Sequence, residues 1–173
     1  MQNTLVMTMI GQDRPGLVEQ VADVVAEHGG NWLESSMSRL GGQFAGILRV
    51  EIPKERETAL LKDLGLLAAK GITVVAHSDG SRQEAVDGQH YVLEIVAQDR
   101  PGIVRQITSA LADYGVNVEG LETECASAAM SGETMFTARA GIRIPPGSDI
   151  AAIRQTLEKI ASDLIADMKL EGA

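Results

Sequence analysis

The chain has one cysteine, five aromatic residues, no long apolar run and no surplus of basic charge. Each scarcity excludes something. With Cys125 alone there is no intrachain disulfide, and the reading is a protein of a reducing compartment. With only Trp32, Phe44, Tyr91, Tyr114 and Phe136 as aromatics, the core has to be built from Val, Leu, Ile, Met and Ala. No apolar stretch approaches the roughly eighteen residues of a membrane span, and no basic segment followed by a long apolar one opens the chain. A cytoplasmic protein is expected. Fifteen Lys and Arg against twenty-four Asp and Glu leave a net charge of −9, the wrong sign for neutralising phosphates, so direct nucleic-acid binding is not expected.

What is present is a repeat. Gln12-Asp13-Arg14-Pro15-Gly16 returns unchanged as Gln98-Asp99-Arg100-Pro101-Gly102, 86 residues later. From Gln12 to Asn31 and from Gln98 to Asn117, ten of twenty positions are identical without a gap. The periodicity around both copies is the same, which makes this an internal duplication. For 173 residues, two units of about 75–85 residues follow, each just large enough to fold. The boundaries expected are 1–78 for the first unit, a polar linker at 79–88, and 89–173 for the second.

In the first unit, residues 4–10 read as a strand. Pro15 suits the first position of a helix, with Asp13 as a capping or loop-holding side chain. Leu17, Val18, Val21, Val24, Val25 and His28 form one helical stripe, and Gly29-Gly30 stops it. Residues 31–40 and 44–52 read as a hairpin around Gly41-Gly42. Leu60, Leu61, Leu64, Leu67 and Ala68 form a second stripe closed by Gly71, and residues 72–76 a last strand. In the second unit, Ile103, Val104, Ile107, Ala110, Leu111 and Tyr114 repeat the first stripe. Six extra residues fall within 125–134. Ser148 is the expected cap of a last helix bearing Ile150, Ile153, Leu157, Ile160 and Leu164, and residues 166–170 close the unit.

Two βαββαβ units with right-handed crossovers predict an α+β protein of two ferredoxin-like domains, each a four-stranded antiparallel sheet with both helices on one face. The first strand then lies inside the sheet. Its end is expected to deliver the Asp-Arg-Pro-Gly loop to the rim beside Asn31 or Asn117.

That loop, between first strand and first helix and followed by Gly-x-Asn at the second strand, resembles the ACT domain, a module that senses small molecules, most often amino acids. A tandem pair of this length is similar to the glycine cleavage system transcriptional repressor family. The resemblance implies a non-enzymatic regulator that senses a small amino acid such as glycine or serine. It also implies action through a protein partner, a DNA-bound transcription activator, and a homo-oligomer. Ligand would lie where the loop faces a neighbouring ACT unit.

The residues permit such a role. A helix start offers unpaired N–H groups and partial positive charge to a carboxylate. Asn31 and Asn117 carry both donors and acceptors. The candidate ligand-binding set is therefore Gln12, Asp13, Arg14, Pro15, Gly16 and Asn31, with Gln98, Asp99, Arg100, Pro101, Gly102 and Asn117. Pro15 and Pro101 read first as structural, and Arg14 and Arg100 as solvent-facing or interfacial. His28 reads as packing, Cys125 as an inert thiol, and Leu33, Met37 and Met130 as contact candidates. His77 and His90 have no metal-ligand spacing, and no cofactor is expected. No catalytic motif appears. Four alternatives are weighed against this reading: an interaction module of this fold without ligand, a regulatory subunit of an amino-acid metabolic enzyme, a small enzyme of the same fold, and a repressor that binds DNA directly.

Overall fold

The computed structural model describes residues 1–79, 87–127 and 132–173. The chain divides into two compact units, Met1–Arg82 and Gln83–Ala173. The linker expected at 79–88 falls mostly on residues 80–86, outside the described residues, as does Met130.

In the first unit β1 (Gln2–Gln12), α1 (Leu17–Glu27), β2 (Asn31–Leu40), β3 (Gln43–Pro53), α2 (Glu57–Leu66) and β4 (Ile72–Ser78) follow in order. The second repeats them as β5 (Gln89–Gln98), α3 (Ile103–Asp113), β6 (Asn117–Ser127), β7 (Thr134–Ile144), α4 (Ile150–Leu164) and β8 (Asp167–Gly172). The sheets have the order β2-β3-β1-β4 and β6-β7-β5-β8, antiparallel at every pairing. Both are ferredoxin-like, with the first strand of each unit inside its sheet.

Strand parity builds the cores. Successive side chains of a strand face opposite ways, so Leu5, Met7 and Met9 of β1 are buried while Thr8 and Ile10, of the other parity, are exposed. Leu17, Val21 and Val25 of α1, with Leu60 and Leu64 of α2, cover the buried face. The second core is Leu93, Ile95 and Ala97 under Ile103, Ile107, Leu111, Ile153 and Leu157. The helical stripes are narrower than their spacing suggests. Val18, Leu61 and Val104 stay 38–40% exposed, and Ala68 is exposed.

The duplication reaches small details. β2 carries a bulge between Trp32 and Glu34, and β6 carries one at the matching place between Val118 and Gly120. His28 ends α1 and meets Asp63 on α2 at 2.9 Å, and its counterpart Tyr114 meets Thr156 on α4 at 2.7 Å. Each ties one helix to the other, a packing role. The longer second hairpin gains one ladder pair, Ser127↔Thr134, and a longer connection of which residues 128–131 are outside the described residues.

One expected cap is replaced. Asp149, not Ser148, caps α4, its side chain accepting from the Ala152 N–H. Ser148 instead lies in the turn, its N–H donating to the Pro145 carbonyl. At the far ends, the turn after α2 stops at Gly71, φ 77°, while α4 stops at Ile165, φ 52°. A β-branched residue in this left-handed region is strained, and Ile165, 89% exposed, gains little packing in return. Ile165→Gly is expected to stabilise the chain by about 1 kcal/mol, read as a higher urea midpoint. An unchanged or lower midpoint refutes the strain.

Candidate functional site

Each repeated loop leaves the sheet at one rim. Gln12 and Gln98 are the last residues of β1 and β5. The Asp13 N–H donates to the Gly42 carbonyl at 3.0 Å, and the Asp99 N–H to that of Thr134 at 2.8 Å, which ties each loop to the adjoining hairpin. Pro15 and Pro101 are not the first helical residues. They sit in a turn, and Gly16 and Gly102 are the residues immediately before α1 and α3, with φ of 80° and 96°. This left-handed conformation displaces the helix start past the proline and requires glycine. Neither helix start has a side-chain cap, so Asp13 does not cap α1. The first-turn amides have no partner within the helix.

Asn31 and Asn117 are not beside these loops. Asn31 faces Glu51, which faces Thr4, and Asn117 faces Arg143, which faces His90. Gln12 and Gln98 lie eight residues farther along the same central strands, about 26 Å away at about 3.3 Å per residue. The reason is topological. The helix runs back across the sheet, so the second strand starts at the opposite rim and runs parallel to the first. Within one unit, loop and Asn cannot share a small ligand.

Arg14 and Arg100 have a shared structural task. The Arg14 guanidinium donates to the Lys70 carbonyl at 2.8 Å, and that of Arg100 to the Asp163 carbonyl at 3.0 Å. Each secures its loop to the end of the unit's second helical segment, where carbonyls are unpaired and a cation is favoured. Sequence spacing carries no sign of this contact, which spans 56 or 63 residues.

Around this common frame the two loops differ in charge. Asp13 is paired with Arg39 at 2.6 Å. The position of Arg39 is taken by Cys125 in the second repeat, beside Asp99. The Cys125 thiol is pushed above its ordinary range by partial desolvation, then by the charge and hydrogen bonding of Asp99 and the charge of Glu124, so it is a poor nucleophile. In the first turn of the helix, Glu19 of α1 corresponds to Arg105 of α3. The Glu19 carboxylate comes within 3.4 Å of where a Cβ on Gly16 would stand. The first loop thus holds an Asp13 already paired and a carboxylate at the start of α1, whereas at the second Asp99 has the Cys125 thiol beside it and nothing lies within 4 Å of where a Cβ on Gly102 would stand. A hollow of about 250 Å³ lies at the first loop, lined by Asp13, Arg14, Gly16, Leu17, Val18, Glu19 and Phe44.

The opposite rim of the second unit holds a cluster with no counterpart in the first. Glu119, in the β6 bulge, accepts from Arg143 and lies 3.3 Å from His90. The corresponding residues of the first unit are Leu33, Glu51 and Thr4. The Arg143 hydrogen bond, with the charges of Arg143 and His90, holds the Glu119 carboxyl below its ordinary range against a smaller desolvation effect. Among the described residues, no group of three or more His, Cys, Asp or Glu side chains is placed to hold a metal. No helix among them is long and apolar enough to cross a membrane.

Residues 3–77 match one family model of the ACT domain and residues 91–158 match another. A curated relative, the glycine cleavage system transcriptional repressor of Escherichia coli (strain K12), is 24% identical over 170 residues, covering 95% of this chain and 87% of that protein. Among solved structures, an unknown protein from Galdieria sulphuraria superposes with a TM-score of 0.83 at 27% identity, covering 100% of this chain and 99% of that one. A candidate glycine cleavage system transcriptional repressor superposes with a TM-score of 0.73 at 18% identity, covering 100% and 98%; that likeness is one of fold.

Two expectations follow from this geometry. Arg14→Ala and Arg100→Ala should each cost about 0.5–1.5 kcal/mol in urea unfolding, the scale of one solvent-accessible charged hydrogen bond; no loss in either variant refutes the tether. Because the folded pKa of Glu119 is lowered, its contribution to stability is present above the unfolded carboxylate pKa and lost as pH falls through the folded value. Glu119→Gln should therefore flatten the acid limb of the stability profile, and a limb that keeps its slope contradicts the assignment.

Proposed function

Since both halves of this chain belong to the ACT-domain family, in a regulatory protein related to a glycine cleavage system repressor, we propose that it is a non-enzymatic sensor of a small amino acid, glycine or serine, which controls a partner protein. The reading rests on one observation above others, the repeated loop in which a left-handed glycine leaves first-turn amides unpaired near an Asp. An α-amino acid is a compact zwitterion, and an Asp near a helix start offers each of its charges an opposite.

The charges favour the second loop. Asp13 has to release Arg39 before it meets an ammonium, and Glu19 competes with a ligand carboxylate at the α1 amides. Asp99 has Cys125 in place of that arginine, and α3 has Arg105 in place of that glutamate. Asn31 and Asn117 stay in the binding set on one condition. A site using both loop and Asn cannot be built within one unit, because there they stand at opposite rims.

Control of a partner is then a population shift. Ligand changes the partner surface only to the extent that it binds one arrangement of the protein better than another. The related repressor's name places the protein in transcriptional control of amino-acid metabolism; on the family resemblance, the partner is a DNA-bound transcription activator, and the protein acts in the cytoplasm as a homo-oligomer without touching DNA itself.

A thermal-shift panel of the common amino acids tests the sensor. A ligand at 100 times its Kd adds about 2.7 kcal/mol, about 5–10 °C for a chain of this size. The shift should survive in Arg39→Ala and be lost in Asp99→Asn. A panel flat for glycine and serine overturns the amino-acid reading. A shift lost instead in Asp13→Asn moves the site to the first loop. Co-purification that recovers a transcription activator only with the amino acid present supports the partner assignment, and recovery indifferent to the amino acid refutes control by it.

A further inference from the structure

The two sheets present very different open faces. In the first unit, the ladders align Ser36, Ile47, Thr8 and Val75 in one row across all four strands. In the second, the same row is Glu122, Arg139, Glu94 and Lys169, an alternation of charge in which Arg139 lies 3.9 Å from Glu94. The next row toward the loop is Ser38, Ala45, Ile10 and Thr73 against Glu124, Thr137, Val96 and Asp167. Eight positions at the centre of the first face thus carry no charge, and six of the corresponding eight in the second do.

The second face is what a solvated sheet surface looks like in this fold, and it serves as a control for the first. On the first face Ile10, Ile47 and Val75 remain 47%, 54% and 47% exposed. They adjoin a hollow of about 250 Å³ lined by Val6, Glu34, Ser35, Ser36, Ile47, Leu48 and Arg49. Isoleucine knobs and a hollow over small residues on one surface are the makings of a self-complementary contact. Glu34 and Arg49 at its edge are already paired with each other at 3.1 Å.

We propose that this face is where a second copy of the chain docks, sheet against sheet across a two-fold axis. Charge argues for a second copy rather than a foreign partner. Two chains of net charge −9 repel each other, and the uncharged face is where they approach without setting like charges in contact. It also has no charge pattern with which to select a different protein. Sheets pack face to face about 10 Å apart, and the available footprint, roughly 20 Å by 20 Å, is about half the 800 Å² per partner of a standard interface. The contact is accordingly reversible. It is also independent of the amino-acid reading, since it uses neither loop nor ligand.

Sedimentation velocity on the full chain without added amino acid, over a concentration series from about 5 to about 500 µM, spans the range of so small an interface. The expected result is a mass that rises with concentration. The double variant T8E/I47R, which installs the ion pair of the second unit at the matching ladder positions, should weaken that association at least about tenfold. Circular dichroism confirms that it is folded, and the single edge-strand change S36E serves where it is not. Equal association by wild type and a folded variant overturns the proposal by placing the contact elsewhere. A wild type that stays monomeric throughout also overturns it and leaves a foreign apolar partner as the occupant of the face.

Discussion

Everything in each unit follows from how its first strand is held. β1 lies between β3 and β4, and β5 between β7 and β8, with every residue from Leu5 to Gly11 and from Tyr91 to Val96 paired on both sides. A strand fixed on both sides cannot slip by one residue without turning Leu5, Met7 and Met9 out to solvent and Thr8 and Ile10 into the core. That parity seats the helices on one face and decides which side chains make up the other. It also places the end of the strand, and so the Asp-Arg-Pro-Gly loop, at a fixed rim. The Arg14 and Arg100 tethers then hold the loop against the end of the second helical segment from the other side.

On this fixed frame the two copies have diverged wherever the frame leaves freedom. Core positions exchange one apolar residue for another, as Leu17 for Ile103 and Val21 for Ile107. The helix-to-helix tie survives a change of chemistry, His28 with Asp63 in one unit and Tyr114 with Thr156 in the other. The loop rims and open faces change sign or lose charge altogether, with Arg39 against Cys125, Glu19 against Arg105, and Ile47 against Arg139. Packing tolerates only conservative exchange, whereas exposed positions are free to be specialised. The repeats are therefore one scaffold with two surfaces.

How much of this was legible in the sequence depends on the range of the interaction. Element order, strand parity and the duplication are local or periodic properties and can be read directly, down to β2 at Asn31–Leu40. The misplaced cap is a close competition. Ser148 and Asp149 are adjacent and both competent, and only the backbone geometry selects Asp149. Pro15 misleads because Gly16, in a left-handed conformation, holds the helix start back to Leu17, two residues later than proline chemistry suggests. Arg14 reaching Lys70 and Asp13 pairing with Arg39 are long-range contacts with no sequence signal. The position of Asn31 is different, since it was available in principle. In a βαβ crossover the second strand runs parallel to the first, so its start lies at the rim opposite the loop.

The Asp-Arg-Pro-Gly loop of the first unit and its uncharged face are not separate regions of the molecule. Ile10 of the face and Asp13 of the loop are three residues apart on one chain segment, and Arg39, the partner of Asp13, follows Ser38 of the face. A ligand that draws Asp13 from Arg39 therefore acts on the end of β2, an edge strand of the proposed contact. A ligand confined to the second loop acts where the open face is charged and takes no part in that contact. Linkage sets the sign and size of any effect: a ligand that changes self-association by some factor has its own affinity changed by the same factor when the copies associate. The divergence of the two loops thus bears on more than which one binds. With the second loop as sensor, ligand binding and self-association are carried by different units, and coupling between them requires the two units to act on each other.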